Sequence, residues 1–207
     1  MIKTGNLEHA LCVTHVNNTR FPQYLREKVQ SSLTLLWQFR VPVIQKASPA
    51  QLVVSTLYRI FSDSVTDYTF VDFCAGAGGP TPFIEKELNA QLSSRSTAPQ
   101  QNSLPANFAN NGITHRSPRA EALSSNGVKF VLTDLHPHIP DWTEAAKKSD
   151  NLSFVAEPVD AANAPTHLNG NDGKKIFRLY NLAFHHFDDK LGSDILRNTL
   201  ETADGFG

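Results

Sequence analysis

Tyr68-Thr69-Phe70-Val71-Asp72-Phe73-Cys74-Ala75-Gly76-Ala77-Gly78-Gly79-Pro80 decides how this chain is read. An apolar run ends in an acid, a loop of very small residues follows, and then comes a proline suited to a first helical turn. That order predicts a buried strand, a tight turn and a helix N-terminus, the place where α/β proteins hold nucleotide-like cofactors. Small residues let a ligand approach the backbone, because no Cβ fills the space. The free N–H groups of the next helix add donors and a partial positive charge.

Spacing narrows the ligand. A phosphate-binding Walker loop ends in Gly-Lys-Ser/Thr, whereas Gly79 is followed by Pro80-Thr81. A dinucleotide fingerprint needs G-x-G-x-x-G, and Thr81 stands where the third glycine belongs. No Lys or Arg waits nearby for a phosphate, and Asp72 suits a cationic amino-acid group better than a pyrophosphate. The string Asp72-Phe73-Cys74-Ala75-Gly76-Ala77-Gly78 resembles motif I, D-x-G-x-G-x-G, of the class I S-adenosylmethionine-dependent methyltransferases. Cys74 replaces the first glycine. The resemblance implies that Asp72 and the loop Cys74, Ala75, Gly76, Ala77, Gly78 and Gly79 bind the cofactor, with Asp72 near its methionine amino group.

Around this motif the pattern alternates strand and helix. Residues 128–134 form a second apolar run that again ends in an acid, Asp134. Asp134 lies 62 positions after Asp72, or 28 once residues 93–126 are set aside, against roughly 20 in dinucleotide folds. A helix is expected over about 140–148, a third strand over 152–156, a fourth over 175–181 and a last helix over about 188–203. In that helix Leu191, Ile195, Leu196 and Leu200 are expected to face inward. Such alternation predicts a doubly wound, Rossmann-like parallel sheet. By resemblance, Asp134 takes the ribose hydroxyls with Leu135 beside it. Asp160 and the Ala161 N–H address the adenine, since 160–165 is similar to the family's D-A-x-x-L-P.

Residues 1–20 have no clear period and are expected to be a loose arm. Residues 21–66 predict two amphipathic helices. The first places Leu25, Val29, Leu33, Leu36 and Trp37 on one face, and the second begins at Ser48-Pro49 with the stripe Leu52, Val53, Leu57, Ile60 and Phe61. The cofactor domain is then 67–207. Within it, residues 93–126 hold seven Ser, five Asn and three Pro without any period, which marks a low-complexity insertion rather than an element. The family's sheet runs 3-2-1-4-5-7-6, and this chain ends at Gly205-Phe206-Gly207, where its strand 5 would begin. The expectation is an incomplete sheet with strand 4 at the edge, a fragment or truncated product.

Composition bounds the rest. The 207 residues are 40% apolar with a net charge of −1, enough for one domain and too little positive charge for a general grip on nucleic acid. Two cysteines, Cys12 and Cys74, and no long apolar run suggest a reduced, cytoplasmic setting without a membrane span. His185 and His186 follow the fourth strand and offer either a base for a methyl acceptor or a structural pair. Asn181-Leu182-Ala183-Phe184 resembles only faintly the N-P-P-Y tetrad of amino-methylating enzymes. It places Asn181 beside the cofactor and leaves the acceptor, a small molecule or other nucleophile, unnamed. Two alternatives stay open. One is a catalytically silent relative that binds a partner. The other is a metallohydrolase built on His136, His138, His185, His186 and nearby carboxylates.

Overall fold

A computed structural model describes residues 36–41, 45–96, 127–166, 168 and 173–207. The expected N-terminal arm, most of the first amphipathic helix, Cys12 and nearly all of the insertion lie outside those residues.

Helix α1 spans Pro49–Phe61 and begins as the sequence dictates. Ser48 Oγ accepts from the Gln51 N–H at 3.3 Å, and Gln51 Oε1 accepts from the Ser48 N–H at 3.0 Å, so two orphan donors are satisfied reciprocally. Its buried face is Ala50, Val54 and Leu57, while Leu52 and Ile60 are exposed. Of the expected stripe, Val53, Leu57 and Phe61 face the core as expected, and Leu52 and Ile60 do not. The seam that meets the next helix follows the i, i+4, i+7 row from Ala50, and the bulkier Leu52 and Ile60 fall outside it.

After a 3-10 turn at Ser62–Asp67 the chain enters β1, Tyr68–Phe73. Then follow α2 (Thr81–Ser96), β2 (Lys129–Thr133), α3 (Ile139–Ala146), β3 (Leu152–Phe154), β4 (Lys175–Leu179), α4 (Asp189–Thr202) and β5 (Gly205–Phe206). The five strands form one sheet in the order β3-β2-β1-β4-β5, and every pair is parallel. This is the doubly wound α/β arrangement expected of the alternating pattern. The expected edge at strand 4 is corrected by β5, which pairs with β4 through Phe177 and Arg178. Gly205 makes this possible, since a Cβ there would stand 2.9 Å from the Phe177 ring.

Alternation along the strands sends side chains to two cores. Phe70, Phe130 and Leu132 pack with Ile84, Leu88, Val54 and Trp142 under the first three helices. Phe70 and Phe130 stack at 5.0 Å between ring centroids. Val71, Phe73, Val131 and Tyr180 face the other way, against Ile195 of α4. Entry into β2 is fixed by α2: Asn89 accepts from the Val128 N–H at 2.7 Å and donates to its carbonyl at 3.0 Å.

The inward face of α4 holds Leu191 and Ile195 as expected and departs from expectation nearer the helix C-terminus. Leu200 is 73% exposed, whereas Thr199 is buried. The reason is Arg178, a buried guanidinium in the middle of β4. It donates to Asn198 Oδ1 at 2.9 Å, to Thr199 Oγ1 at 3.3 Å and to Thr202. A buried cation needs partners, and here they are hydroxyls, an amide oxygen and the negative end of the helix dipole. The Phe73 ring, 4.5 Å from the guanidinium carbon, adds a cation–π contact on the order of 1 kcal/mol. Polar residues thus take the face that leucines would otherwise fill. Among the described residues, no helix is long and apolar enough to cross a membrane.

Truncating the true seam of α1 should cost far more than truncating the expected one. Val54→Ala should lower unfolding free energy by about 2 kcal/mol, and Leu52→Ala by less than about 0.5 kcal/mol. Urea titrations of the two variants would show this, and equal losses would contradict the packing described.

Candidate functional site

The C-terminal ends of β1, β2 and β4 lie side by side, since Asp72 is level with both Leu132 and Leu179. Ligands bind at this edge in open α/β sheets. Asp72 is fully buried on the α2 side. Its Oδ2 accepts from the Thr81 hydroxyl at 2.5 Å, and its Oδ1 accepts from the Asn181 amide at 3.1 Å. Asn181 also donates to Thr81 Oγ1 at 3.2 Å. Burial pushes the Asp72 carboxyl up to about 7, against the hydrogen bonds from Thr81 and Asn181, with the charge of Asp134 adding to the rise. Enclosed in this way, Asp72 has both oxygens turned to protein donors and no exposed surface.

The loop that follows is shaped by left-handed backbone. Cys74 has φ +60° and Gly76 φ +53°, a region that costs a side-chain-bearing residue of order 1 kcal/mol or more. Glycine takes that conformation without steric cost, whereas the Cys74 side chain does not. Gly76 is clamped on both sides. Its N–H donates to Asp134 Oδ2 at 2.9 Å, and its carbonyl accepts from the Trp142 indole at 2.8 Å. The Ala75 N–H donates to the Thr133 carbonyl at 3.1 Å and the Gly78 N–H to the Ala75 carbonyl at 2.8 Å. Gly79, with φ +49°, leads the chain into the helix at Thr81.

Asp134 sits half-buried just past β2, and its other oxygen accepts from the His136 N–H at 2.8 Å. The Val159 N–H donates to the Asp134 carbonyl at 2.9 Å, which draws the loop after β3 to the same edge. There Asp160 caps a 3-10 turn, Ala161–Asn163, accepting from the Ala162 N–H at 2.9 Å. Ala161 is the first residue of that turn, so its N–H has no partner within it. Cys74 lies among the acids. Burial first, and then Asp134, Asp72 and Asp160, push its thiol up to about 12. None of the ion pairs of the described residues includes Asp72, Asp134 or Asp160. Leu135 and Leu182 stand exposed at the tips of β2 and β4, Leu182 with φ +55°.

The residues expected to bind a cofactor are therefore gathered at one edge by four loops, those after β1, β2, β3 and β4. His185 and His186 are exposed on a 3-10 turn, with ring centroids 3.8 Å apart. Partial burial, and then its neighbour His185, hold the His186 imidazole below its ordinary range. His138 lies 3.8 Å from Asp141. Among the described residues, no three His, Cys, Asp or Glu side chains come together to hold a metal. A groove of about 340 Å³ opens beside Thr69, Lys129, Val131, Asp150, Ser153 and Leu168, and neither residues 74–79 nor Asp72, Asp134 or Asp160 line it.

Sequence reasoning missed Thr81, Trp142 and Thr133. Thr81 registered only as a failed third glycine, although it is buried and answers Asp72. Thr133 donates to the Asp72 carbonyl at 2.9 Å, tying the two strand ends together. A hydroxyl directly before a strand-end acid was the available signal for it. No family model matches the chain, and no curated protein matches it.

Asp72 has a measurable pH signature. Its folded pKa is raised, so between about 4 and 7 the folded state holds a proton that the unfolded state has lost. Stability then falls as pH rises, by roughly 1.4 kcal/mol per unit from this group alone, and levels off above 7. Asp72→Asn removes this loss. The variant should match the parent near pH 4 and become the more stable as pH approaches 7, a divergence that melting curves across this range would record.

Proposed function

We propose that this chain binds S-adenosylmethionine at the loop of residues 74–79 and acts as a methyltransferase of the class I type. The observation that carries the reading is the Asp134 carboxylate, fixed by two backbone donors, Gly76 and His136, at the tip of the strand next to the glycine loop. A carboxylate has about four acceptor positions, so two remain for a vicinal diol such as a ribose.

Other features support the same ligand. A Cβ on Gly76 would meet no atom within 4 Å, so the surface beside this residue is open to a ligand. Asp160, exposed, and the Ala161 N–H offer an acceptor and a donor, the pair an adenine edge needs. The acids near the loop carry no counter-cation among the described ion pairs, which favours a ligand with positive charge. The exposed Leu135 and Leu182 offer apolar surface on either side.

When bound, the cofactor supplies a methyl group already activated on a sulfonium. The protein's share is to bind, orient and exclude water. Asp134 holds the sugar, Asp160 and Ala161 hold the base, and the buried Asp72 provides negative potential beside the amino group. On the turn after β4, His185 and His186 are the candidate bases for an acceptor's proton, and His186 is held toward its neutral form.

Titration calorimetry with S-adenosylhomocysteine tests the reading. The parent should bind, and Asp134→Ala should weaken affinity at least tenfold, the loss of a bidentate charged acceptor worth about 1.5–3 kcal/mol. Absence of binding to the parent would refute the proposal, whereas binding without methyl transfer to any nucleophile would reduce it to a silent cofactor-binding relative.

A further inference from the structure

We infer that Trp142 is a positioning residue for the ligand loop, resting on the proposed cofactor reading. Trp142 is wholly buried in the core beneath α3, yet its one polar atom points at the loop. An indole N–H in such a place needs an acceptor. It finds one 66 residues earlier in the chain, the Gly76 carbonyl at 2.8 Å.

The consequence lies in the next peptide group. The chain has no cis peptide bonds among the described residues, and in a trans peptide the carbonyl and the following N–H point in opposite directions. With the Gly76 carbonyl turned down onto the indole, the Ala77 N–H is turned away from it. That N–H donates to no group of the described residues. Gly76 is glycine at φ +53°, with no side chain of its own to hold its peptide, and its carbonyl is held by the indole. Asp134 holds the Gly76 N–H and Trp142 holds its carbonyl, so one residue is gripped at both ends. Preorganising a donor in this way lowers the ordering cost of binding. Trp142 thus fixes the direction of the Ala77 N–H toward the ligand side, and it keeps Asp134 Oδ2 in register through the same glycine.

Trp142→Phe keeps a ring against Phe154, whose centroid is 5.9 Å away, and deletes the donor together with the part of the bicyclic ring that carries it. Affinity of this variant for S-adenosylhomocysteine should fall about fivefold to tenfold, the fold-change of one hydrogen bond. Leu152→Ala serves as the structural control, since it thins the same core without touching the loop. It should lower the melting temperature and leave affinity within twofold of the parent at a temperature where both are folded. A Trp142→Phe variant that binds like the parent would overturn the inference, as would an equal loss of affinity in Leu152→Ala. Should Trp142→Phe not fold, the parent answers instead. The Trp142 indole N–H resonance, distinguished from that of Trp37 with Trp37→Phe, should exchange slowly and move when S-adenosylhomocysteine is added; an unmoved resonance would sink the inference. Failure of the parent to bind would overturn the cofactor reading, and the positioning role with it, which is a different result from parent and variant binding alike.

Discussion

The hydrogen bond from the Gly76 N–H to Asp134 Oδ2 is the contact on which the site depends. It spans the ends of two adjacent parallel strands and settles three things together. The turn after β1 gains an acceptor for a donor that would otherwise be orphaned, the Asp134 side chain is aimed, and the loop closes over the α3 side of the sheet, where Trp142 meets it. Parallel strands cannot be joined by a tight hairpin, so their ends need such side-chain and loop contacts to stay in register. Ala75 N–H to Thr133 carbonyl and Thr133 hydroxyl to Asp72 carbonyl continue the same seam.

Behind that seam the two faces of the sheet solve opposite charge problems. On one side Asp72 is buried with neutral donors only, a hydroxyl and an amide. On the other side Arg178 is buried with neutral acceptors only, an amide oxygen and hydroxyls, under the Phe73 ring. Val71 and Arg178 are level across β1 and β4, as are Asp72 and Leu179, so the two charges are one residue apart along the ladder and on opposite faces. Neither neutralises the other by contact. Each is held by polar groups from the helix that covers its face, which makes α2 and α4 specific to their positions rather than interchangeable apolar covers.

The sequence was most legible where backbone conformation and burial act within a short window. The run into Asp72, the glycines after it and the acid after β2 each follow from local rules, and the parallel order follows from strand–helix alternation. It was least legible where a side chain answers a partner far along the chain. The inward face of α4 was read as leucines because nothing near residue 199 announces Arg178. Trp142 read as one more apolar residue of a short helix, because the carbonyl it serves is 66 positions away. The buried face of α1 is less legible for the related reason that Ala50 and Val54, small residues in a hydrophobic stripe, are buried while the bulkier Leu52 and Ile60 are not. Strand β5 was too short to register, and only the bare Gly205 lets it reach Phe177.

The enclosed carboxyl of Asp72 has an effect on any cation that settles at the loop. With its proton half lost near pH 7, it is poised so that a positive charge nearby draws it toward the anion. A cation arriving at the loop would then expel part of a proton into solution. Binding heats would depend on the ionisation enthalpy of the buffer, and affinity would climb as pH rises through 7. Proton traffic, at a group the ligand never touches, becomes part of the binding equilibrium.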